Sequence, residues 1–320
     1  MDISIVIPFY NEEESIKPLH EAVVNAMSKL PYEYELIIVD DGSSDNTLKN
    51  AMEMAQNDPR VKIVKLKRNY GQTTGLHAGF QHATGKFIVT MDGDLQNDPE
   101  DIGNMVSKLK EGYDIVLGWR YNRKDKLISR KLPSKIANWL VRTVTGIPVK
   151  DNGCAIRAYR AEIIKHFPMY SEMHRLLPVI TALAGARFTQ IKVKHHPRRF
   201  GSSKYGLSRI YKVILDLLAL KTVFYSFSRP LFGFGFVALI FGLLFFVLLA
   251  ISLIQLIHYQ YQTIVVTLGS AALLGILSLT LMFFGIISHL IYQSGNLKIE
   301  NLYKFKYKNQ LENAGHIDDK

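Results

Sequence analysis

The 320-residue chain has a single cysteine, Cys154. No intrachain disulfide can form, which fits a reducing compartment. No basic segment precedes the first apolar one. Met1 leads straight into Ile3-Ser4-Ile5-Val6-Ile7-Pro8, which reads as a buried strand and not as a signal peptide. No Gly-x-Gly-x-x-Gly follows that strand, which disfavours a nicotinamide-type dinucleotide site. Charge is absent from two long runs, 231–257 and 263–292, each long enough to cross a bilayer with some tilt. The linker 258–262 also lacks Lys and Arg. Lys221 and Arg229 precede the pair of runs, and Lys298, Lys304, Lys306 and Lys308 follow it. This asymmetry predicts a transmembrane hairpin with both flanks in the cytoplasm.

The remainder reads as soluble protein. More than 200 residues mix charged and apolar positions, enough to bury a core without the membrane part. The formal net charge is +11, with basic residues concentrated at 120–135, at 192–204 and near the C-terminus. A basic surplus implies an anionic partner. Nothing resembles a nucleic-acid module, so phosphate and anionic lipid are the expected partners. Residues 210–227 are apolar with interspersed Lys212, Asp216 and Lys221, the pattern of a segment lying on a membrane surface.

Strand and helix patterns alternate through the first ~120 residues. Strands are expected at 3–7, 34–39, 61–66, 86–91 and 114–118, and helices at 45–56, 73–82 and 99–111. A further helix is expected directly after Asn11, which is placed to cap it, with Glu12, Glu13 and Glu14 in its first turn. The implied fold class is α/β, a mostly parallel Rossmann-like sheet covered by helices. Ligands of such sheets bind beyond the carboxyl ends of the strands. Two acidic clusters fall there: Asp40-Asp41-Gly42-Ser43 and Asp92-Gly93-Asp94. Two carboxylates one residue apart suit a hard divalent cation, Mg²⁺ or Mn²⁺, with Gln96 as a neutral third oxygen donor. Gly42 and Asp45 suit turn and cap chemistry, and a carboxylate at a strand end also accepts a nucleobase N–H.

Taken together, Ile7-Pro8-Phe9-Tyr10-Asn11-Glu12, Val39-Asp40-Asp41-Gly42-Ser43 and Asp92-Gly93-Asp94-Leu95-Gln96 resemble the inverting family-2 glycosyltransferases of the A-type fold. Within them the chain is similar to the polyprenyl-phosphate group: dolichyl-phosphate mannose synthases and the undecaprenyl-phosphate glucosyl- and aminoarabinose transferases. The resemblance covers essentially the whole chain. It implies that Pro8, Tyr10, Glu12, Val39 and Asp41 hold the nucleoside. Asp92, Asp94 and Gln96 would hold the metal and diphosphate, and Arg120 would contact phosphate. Arg198, Ser203 and Lys204, in an Arg-x-x-Gly-x-Ser-Lys-Tyr motif, would receive the lipid phosphate or the donor diphosphate. Asp94 and Asp151 are the catalytic candidates. The segment Asp151-Asn152-Gly153-Cys154-Ala155-Ile156-Arg157 departs from the dolichol version and looks more like the aminoarabinose subgroup, as does Asn69-Tyr70-Gly71-Gln72.

The resemblance implies sugar transfer from a nucleotide-sugar, UDP-linked, to undecaprenyl phosphate at the inner membrane, with glucose or an aminoarabinose-type sugar transferred. A GDP-mannose-dependent synthase and a non-enzymatic nucleotide-binding membrane scaffold are the alternatives. A processive polysaccharide synthase is disfavoured by the absence of Gln-x-x-Arg-Trp. The expected organisation is a cytoplasmic transferase domain at 1–205, a juxtamembrane segment at 206–228, two transmembrane helices at 229–295 and a cytoplasmic tail at 296–320. A two-helix anchor is compatible with a homo-oligomer. Cys154 reads as packing, since no His partner is evident. His195-His196 read as exposed polar residues on a strand, and His174-Arg175 as candidates for positioning the acceptor.

Overall fold

In the computed structural model the chain forms two compact units, Met1–Leu217 and Leu218–Lys320. The structure describes residues 1–121, 132–165, 167, 169, 173–183, 185–197, 199–200, 230–258 and 261–294.

The first unit alternates strand and helix: β1 (Ile3–Phe9), α1 (Ile16–Ser28), β2 (Tyr34–Asp40), α2 (Thr47–Asn57), β3 (Val61–Lys65), α3 (Gln72–His82), β4 (Phe87–Thr90), α4 (Asp101–Lys110) and β5 (Ile115–Trp119). After these come α5 (Leu132–Thr145), β6 (Arg157–Arg160), α6 (Ala161–Ile164), a 3₁₀ turn at Met173–Arg175, α7 (Leu177–Leu183) and β7 (Phe188–Lys192). The seven strands run in the order β3-β2-β1-β4-β6-β5-β7. All neighbours are parallel except β6, which is antiparallel to both β4 and β5.

Side chains alternate across this sheet with the period of two that strand geometry imposes. Ile3, Ile5, Ile7 and Phe9 pack on one face with Leu19, Val23 and Met27 of α1 and Ile102 and Met105 of α4. Val6, Ile37 and Val39 pack on the other with Leu76 and Phe80 of α3. Burial on both faces is why β1 and β2 read as nearly unbroken apolar runs. The close approach of α3 requires glycine: a Cβ at Gly79 would lie 2.2 Å from Val6 Cγ1.

At the amino ends of the strands a buried carboxylate ties four segments together. Glu35 is fully buried and accepts Ser4 Oγ at 2.5 Å, Thr84 N at 2.6 Å and Thr84 Oγ1 at 2.9 Å, while Lys62 Nζ lies 2.5 Å from its second oxygen. Although burial opposes ionisation, these donors hold the Glu35 pKa down to about 2.

The first helix departs from expectation. Asn11 does not cap it. Its φ of 53° is left-handed, and its side-chain oxygen accepts Ser44 N at 2.8 Å. The chain is thereby turned toward the β2–α2 loop, and α1 starts only at Ile16, after the three glutamates. Glu13 instead closes over α2, with its carboxylate accepting Asn46 N at 2.9 Å.

The second unit holds α8 (Pro230–Ile257) and α9 (Tyr261–Ser294). Residues Leu231–Ile257 and Thr263–Ile291 are each long and apolar enough to cross a membrane. The two helices pair along a seam of small residues. Ala238 and Ala271 are buried, Ser278 Oγ donates to the Ala238 carbonyl at 2.7 Å, and Gly275 lets the Phe245 ring approach. Large apolar side chains elsewhere on both helices are exposed, including Phe232, Phe246, Leu273 and Phe283. The expected juxtamembrane segment and tail lie outside the described residues.

Candidate active site

The carboxyl ends of β1, β2, β4 and β5 converge with the loops that follow them. Asp40 ends β2 and is 1% exposed; its Oδ1 accepts Ser43 N at 3.2 Å, whereas its Oδ2 has no hydrogen-bond partner. Gly42 makes this turn, with φ of 71° and the Arg68 backbone so near that a Cβ would sit 2.4 Å from it. Asp41 turns the other way. Its two oxygens accept Tyr70 N and Gly71 N, both at 2.8 Å. Burial raises the Asp41 pKa, and these two donors partly offset it. The candidate nucleoside residues are therefore not equivalent. Val39 is fully buried between sheet and α3, so its side chain belongs to the core. Pro8, Tyr10 and Glu12 are half-buried at the end of β1.

Beyond β4, Asp92 Oδ1 accepts Gln72 Nε2 at 2.6 Å, and Asp92 N donates to Asn97 Oδ1 at 3.2 Å. Asp94 is buried and accepts Gln96 N at 3.1 Å. Leu95 between them has φ of 60°, a left-handed conformation in a residue that rarely adopts it. Burial, then repulsion by Asp94, pushes the Asp92 pKa up to about 7, against the pull of Arg120 and Arg157. Two carboxylates that resist simultaneous ionisation are a donor set that a divalent cation fits, since its charge removes the conflict. Gln96 Nε2 donates to the His196 carbonyl at 3.4 Å, which commits the nitrogen and not the oxygen of that amide.

Beyond β5, Arg120 and Asp151 form a two-pronged ion pair: Nε to Oδ2 at 2.7 Å and Nη2 to Oδ1 at 2.8 Å. The side chains are 10% and 8% exposed. The pair joins the β5 end to the loop before β6, within which Gly153 N donates to Asp151 Oδ1 at 3.2 Å. Asp151 raises the Arg120 pKa against the opposing effect of burial.

Residues that the sequence placed in motifs without a role, together with Thr73, complete the arrangement around His174. Arg157 is buried, with its three nitrogens donating to the carbonyls of Cys154 at 2.8 Å, His174 at 2.5 Å and Asn152 at 2.6 Å. No side-chain carboxylate neutralises it in these contacts, so its charge acts on Asp92. Gln72 and Thr73 open α3; Gln72 holds Asp92, and Thr73 Oγ1 lies 2.6 Å from His174 Nδ1. The Arg157 position was visible at the end of the Asp151 motif, but nothing local marked Gln72 as the partner of Asp92.

Other expectations resolve plainly. Cys154 is buried and its thiol is pushed up to about 12, chiefly by burial, as a packing residue requires. His195 and His196 do not lie in a strand of the sheet. His195 makes an isolated bridge to Asn97, and His196 is exposed with Nε2 3.1 Å from Asp98. Among the described residues no group of three or more His, Cys, Asp or Glu is placed to hold a metal. Arg198, Ser203 and Lys204 lie outside the described residues, as does most of the basic stretch after Tyr121.

Comparison with known proteins gives the family and the fold. The chain is 46% identical over 248 residues to the dodecaprenyl-phosphate galacturonate synthase of Rhizobium johnstonii, covering 76% of this chain and 73% of that protein. Crystal structures of glucosyl-3-phosphoglycerate synthase from Mycobacterium tuberculosis share the fold. The complex with Mn²⁺, UDP and phosphoglyceric acid aligns with TM-score 0.53 at 20% identity, over 69% of this chain and 78% of that one. The complex with Mn²⁺ and UDP-glucose gives 0.52 at 20% identity, over 69% and 78%. The description "glycosyl transferase family 2" matches residues 4–167, a span that holds six of the seven strands together with both acidic clusters, Arg120, Asp151 and Arg157. By that match and that relative, the chain belongs to glycosyl transferase family 2.

Proposed function

We propose that this transferase moves a sugar, with inversion, from a UDP-linked donor onto a polyprenyl phosphate such as undecaprenyl phosphate. The observation that carries the reading is the paired carboxylates of Asp92 and Asp94 just beyond the carboxyl end of β4, in a chain that also bears two membrane-length helices. The name of the relative, dodecaprenyl-phosphate galacturonate synthase, supports a polyprenyl-phosphate product. It also brings galacturonate in beside glucose and an aminoarabinose-type sugar as the group transferred.

The residues divide the task. Asp92 and Asp94 would hold Mg²⁺ or Mn²⁺, with Gln96 as a neutral donor. Bound there, the ion would neutralise the charge that builds on the departing diphosphate. Arg120, oriented by Asp151, faces the same charge. Pro8, Tyr10, Glu12 and Asp41 hold the nucleoside, and Asp41 does so by exchanging the Tyr70 and Gly71 donors for a base N–H. A phosphate monoester acceptor is already ionised at neutral pH, so alignment of its oxygen with the anomeric carbon does most of the chemistry. Arg198, Ser203 and Lys204 are proposed to make that alignment at the bilayer surface. The transferase domain spans 1–205, the surface segment 206–228, the membrane helices 229–295 and the tail 296–320, with domain and tail cytoplasmic.

The test is a panel of radiolabelled UDP-glucose, UDP-galacturonate, a UDP-aminoarabinose and GDP-mannose, given to the full-length protein with undecaprenyl phosphate. One UDP-sugar should yield lipid-extractable label together with released UDP. Label from GDP-mannose alone would overturn the donor, and release of UDP without labelled lipid would overturn the acceptor.

A further inference from the structure

The loop between α5 and β6 is held in place by neighbours of its central residue. Asn138 of α5 uses both ends of its amide there: Oδ1 accepts Asn152 N at 3.2 Å, and Nδ2 donates to the Lys150 carbonyl at 3.1 Å. Arg157 Nη2 donates to the Asn152 carbonyl at 2.6 Å. Both main-chain polar groups of Asn152 are thus fixed. Its side chain contributes nothing to the loop. The residue is only 6% exposed, yet Oδ1 and Nδ2 are both buried without a hydrogen-bond partner. A buried amide lacking partners at both ends is uncommon in a folded protein and disfavours the folded state.

The surroundings narrow what could satisfy it. Asp151, the preceding residue, grips Arg120, and Arg157, which holds the Asn152 carbonyl, bears electrostatically on Asp92. Asn152 therefore belongs to the same group of loops as the two proposed diphosphate-end residues, and carries no charge itself. A primary amide presents one acceptor and one donor side by side. A phosphate or carboxylate offers acceptors alone and would set a negative oxygen against Oδ1. Adjacent hydroxyls of a sugar offer a donor and an acceptor at the spacing an amide spans.

We infer that Asn152 is a binding residue for the transferred sugar, its amide hydrogen-bonding two neighbouring hydroxyls of the donor. The inference rests on the proposed function and assigns within it the residue that senses the sugar. A protein that keeps a polar group unsatisfied until substrate arrives gives up stability for recognition.

The test uses full-length protein, with calorimetric titration of UDP and of the UDP-sugar that the panel identifies. Asn152→Ala should bind UDP within about twofold of wild type but the UDP-sugar at least tenfold more weakly. Its melting temperature without ligand should be unchanged or raised. Asn152→Asp, which keeps one acceptor and the shape, should lose UDP-sugar affinity in the same direction and by less. Unchanged UDP-sugar binding in Asn152→Ala would show that the amide holds only water and overturn the inference. A lowered melting temperature with equal loss of both ligands would assign the residue to the loop's structure and overturn it too. Wild-type protein that binds neither ligand would overturn the proposed function, and this inference with it.

Discussion

The ion pair between Arg120 and Asp151 makes a quantitative claim about what Asp151 does. Both carboxylate oxygens are directed at the guanidinium, at 2.7 and 2.8 Å, and both side chains are nearly buried. Removing one partner of such a pair leaves a buried charge uncompensated, a loss of about 3–5 kcal/mol in general. Here Asp92 also lies close enough to act on Arg120, so the lower end applies, about 3 kcal/mol. If Asp151 acts through Arg120, Asp151→Asn should slow turnover on the order of 10²-fold, or about 2.7 kcal/mol of barrier. Arg120→Gln should slow it by a similar factor. The double variant should then be scarcely worse than Arg120→Gln alone, which requires a coupling energy of about 2 kcal/mol or more. Steady-state release of nucleoside diphosphate by the four proteins measures the cycle, with thermal melting to confirm that each is folded. Losses that multiply, so that Asp151→Asn still costs its full factor without Arg120, would refute the argument. Asp151 would then act on the reacting groups directly.

Other outcomes follow from the same structure. Asp94→Ala and Asp92→Ala should each lower turnover on the order of 10²-fold or more, and a chelator should abolish wild-type activity; full turnover in the chelator would remove the metal assignment. Glu35→Gln should destabilise the first unit by about 2–3 kcal/mol at pH 7, read from denaturant melts of the full-length protein. Because the folded-state pKa of Glu35 is depressed to about 2, its contribution is complete above the ordinary value near 4.5. It is lost as pH falls from there toward about 2, so the wild-type advantage over Glu35→Gln should shrink at pH 3. Single cysteines at Gln260 and Asn309 should label from opposite sides of the membrane. Native Cys154, buried with its thiol at about 12, should stay unlabelled and give a clean background.

The sequence and the structure part company where contacts are long-range. Five of the six parallel strands, β1 to β5, announce themselves as apolar runs followed by turn residues and lie within a few residues of their expected bounds, whereas β7 was not foreseen. The strand β6 did not announce itself either, because Arg157-Ala158-Tyr159-Arg160 is short and half polar. Its place is set by antiparallel pairing with Thr90 and Leu117, residues far away in sequence. The start of α1 failed for a related reason: Asn11 suits a cap by composition, but Ser43 and Ser44 capture it across 32 and 33 residues. At the site, Asp92, Asp94, Arg120 and Asp151 could be named from motifs. That Arg120 and Asp151 grip one another could not, since 31 residues separate them. Asn152 was quoted within the Asp151 segment but given no role of its own, because what marks it is a lack of partners, and sequence carries no record of that.

Strand β2 carries a buried carboxylate near its start and another at its end, and the two differ in kind. One Glu35 oxygen accepts donors from β1 and from the segment before β4 and the other pairs with Lys62, whereas Asp40, five residues on, keeps one oxygen with neither donor nor ion pair. At ~3.3 Å per residue they stand about 17 Å apart on one rigid segment. Near the start of β2 the carboxylate is thus engaged at both oxygens in the free protein, and at its end at one only. Attempts to make this transferase hardier have a natural address: substitutions around Ser4, Lys62 and Thr84 can be screened for melting temperature with little risk to turnover. The same search near Asp40, Asp92 or Asn152 should select proteins that fold better at the expense of the proposed site.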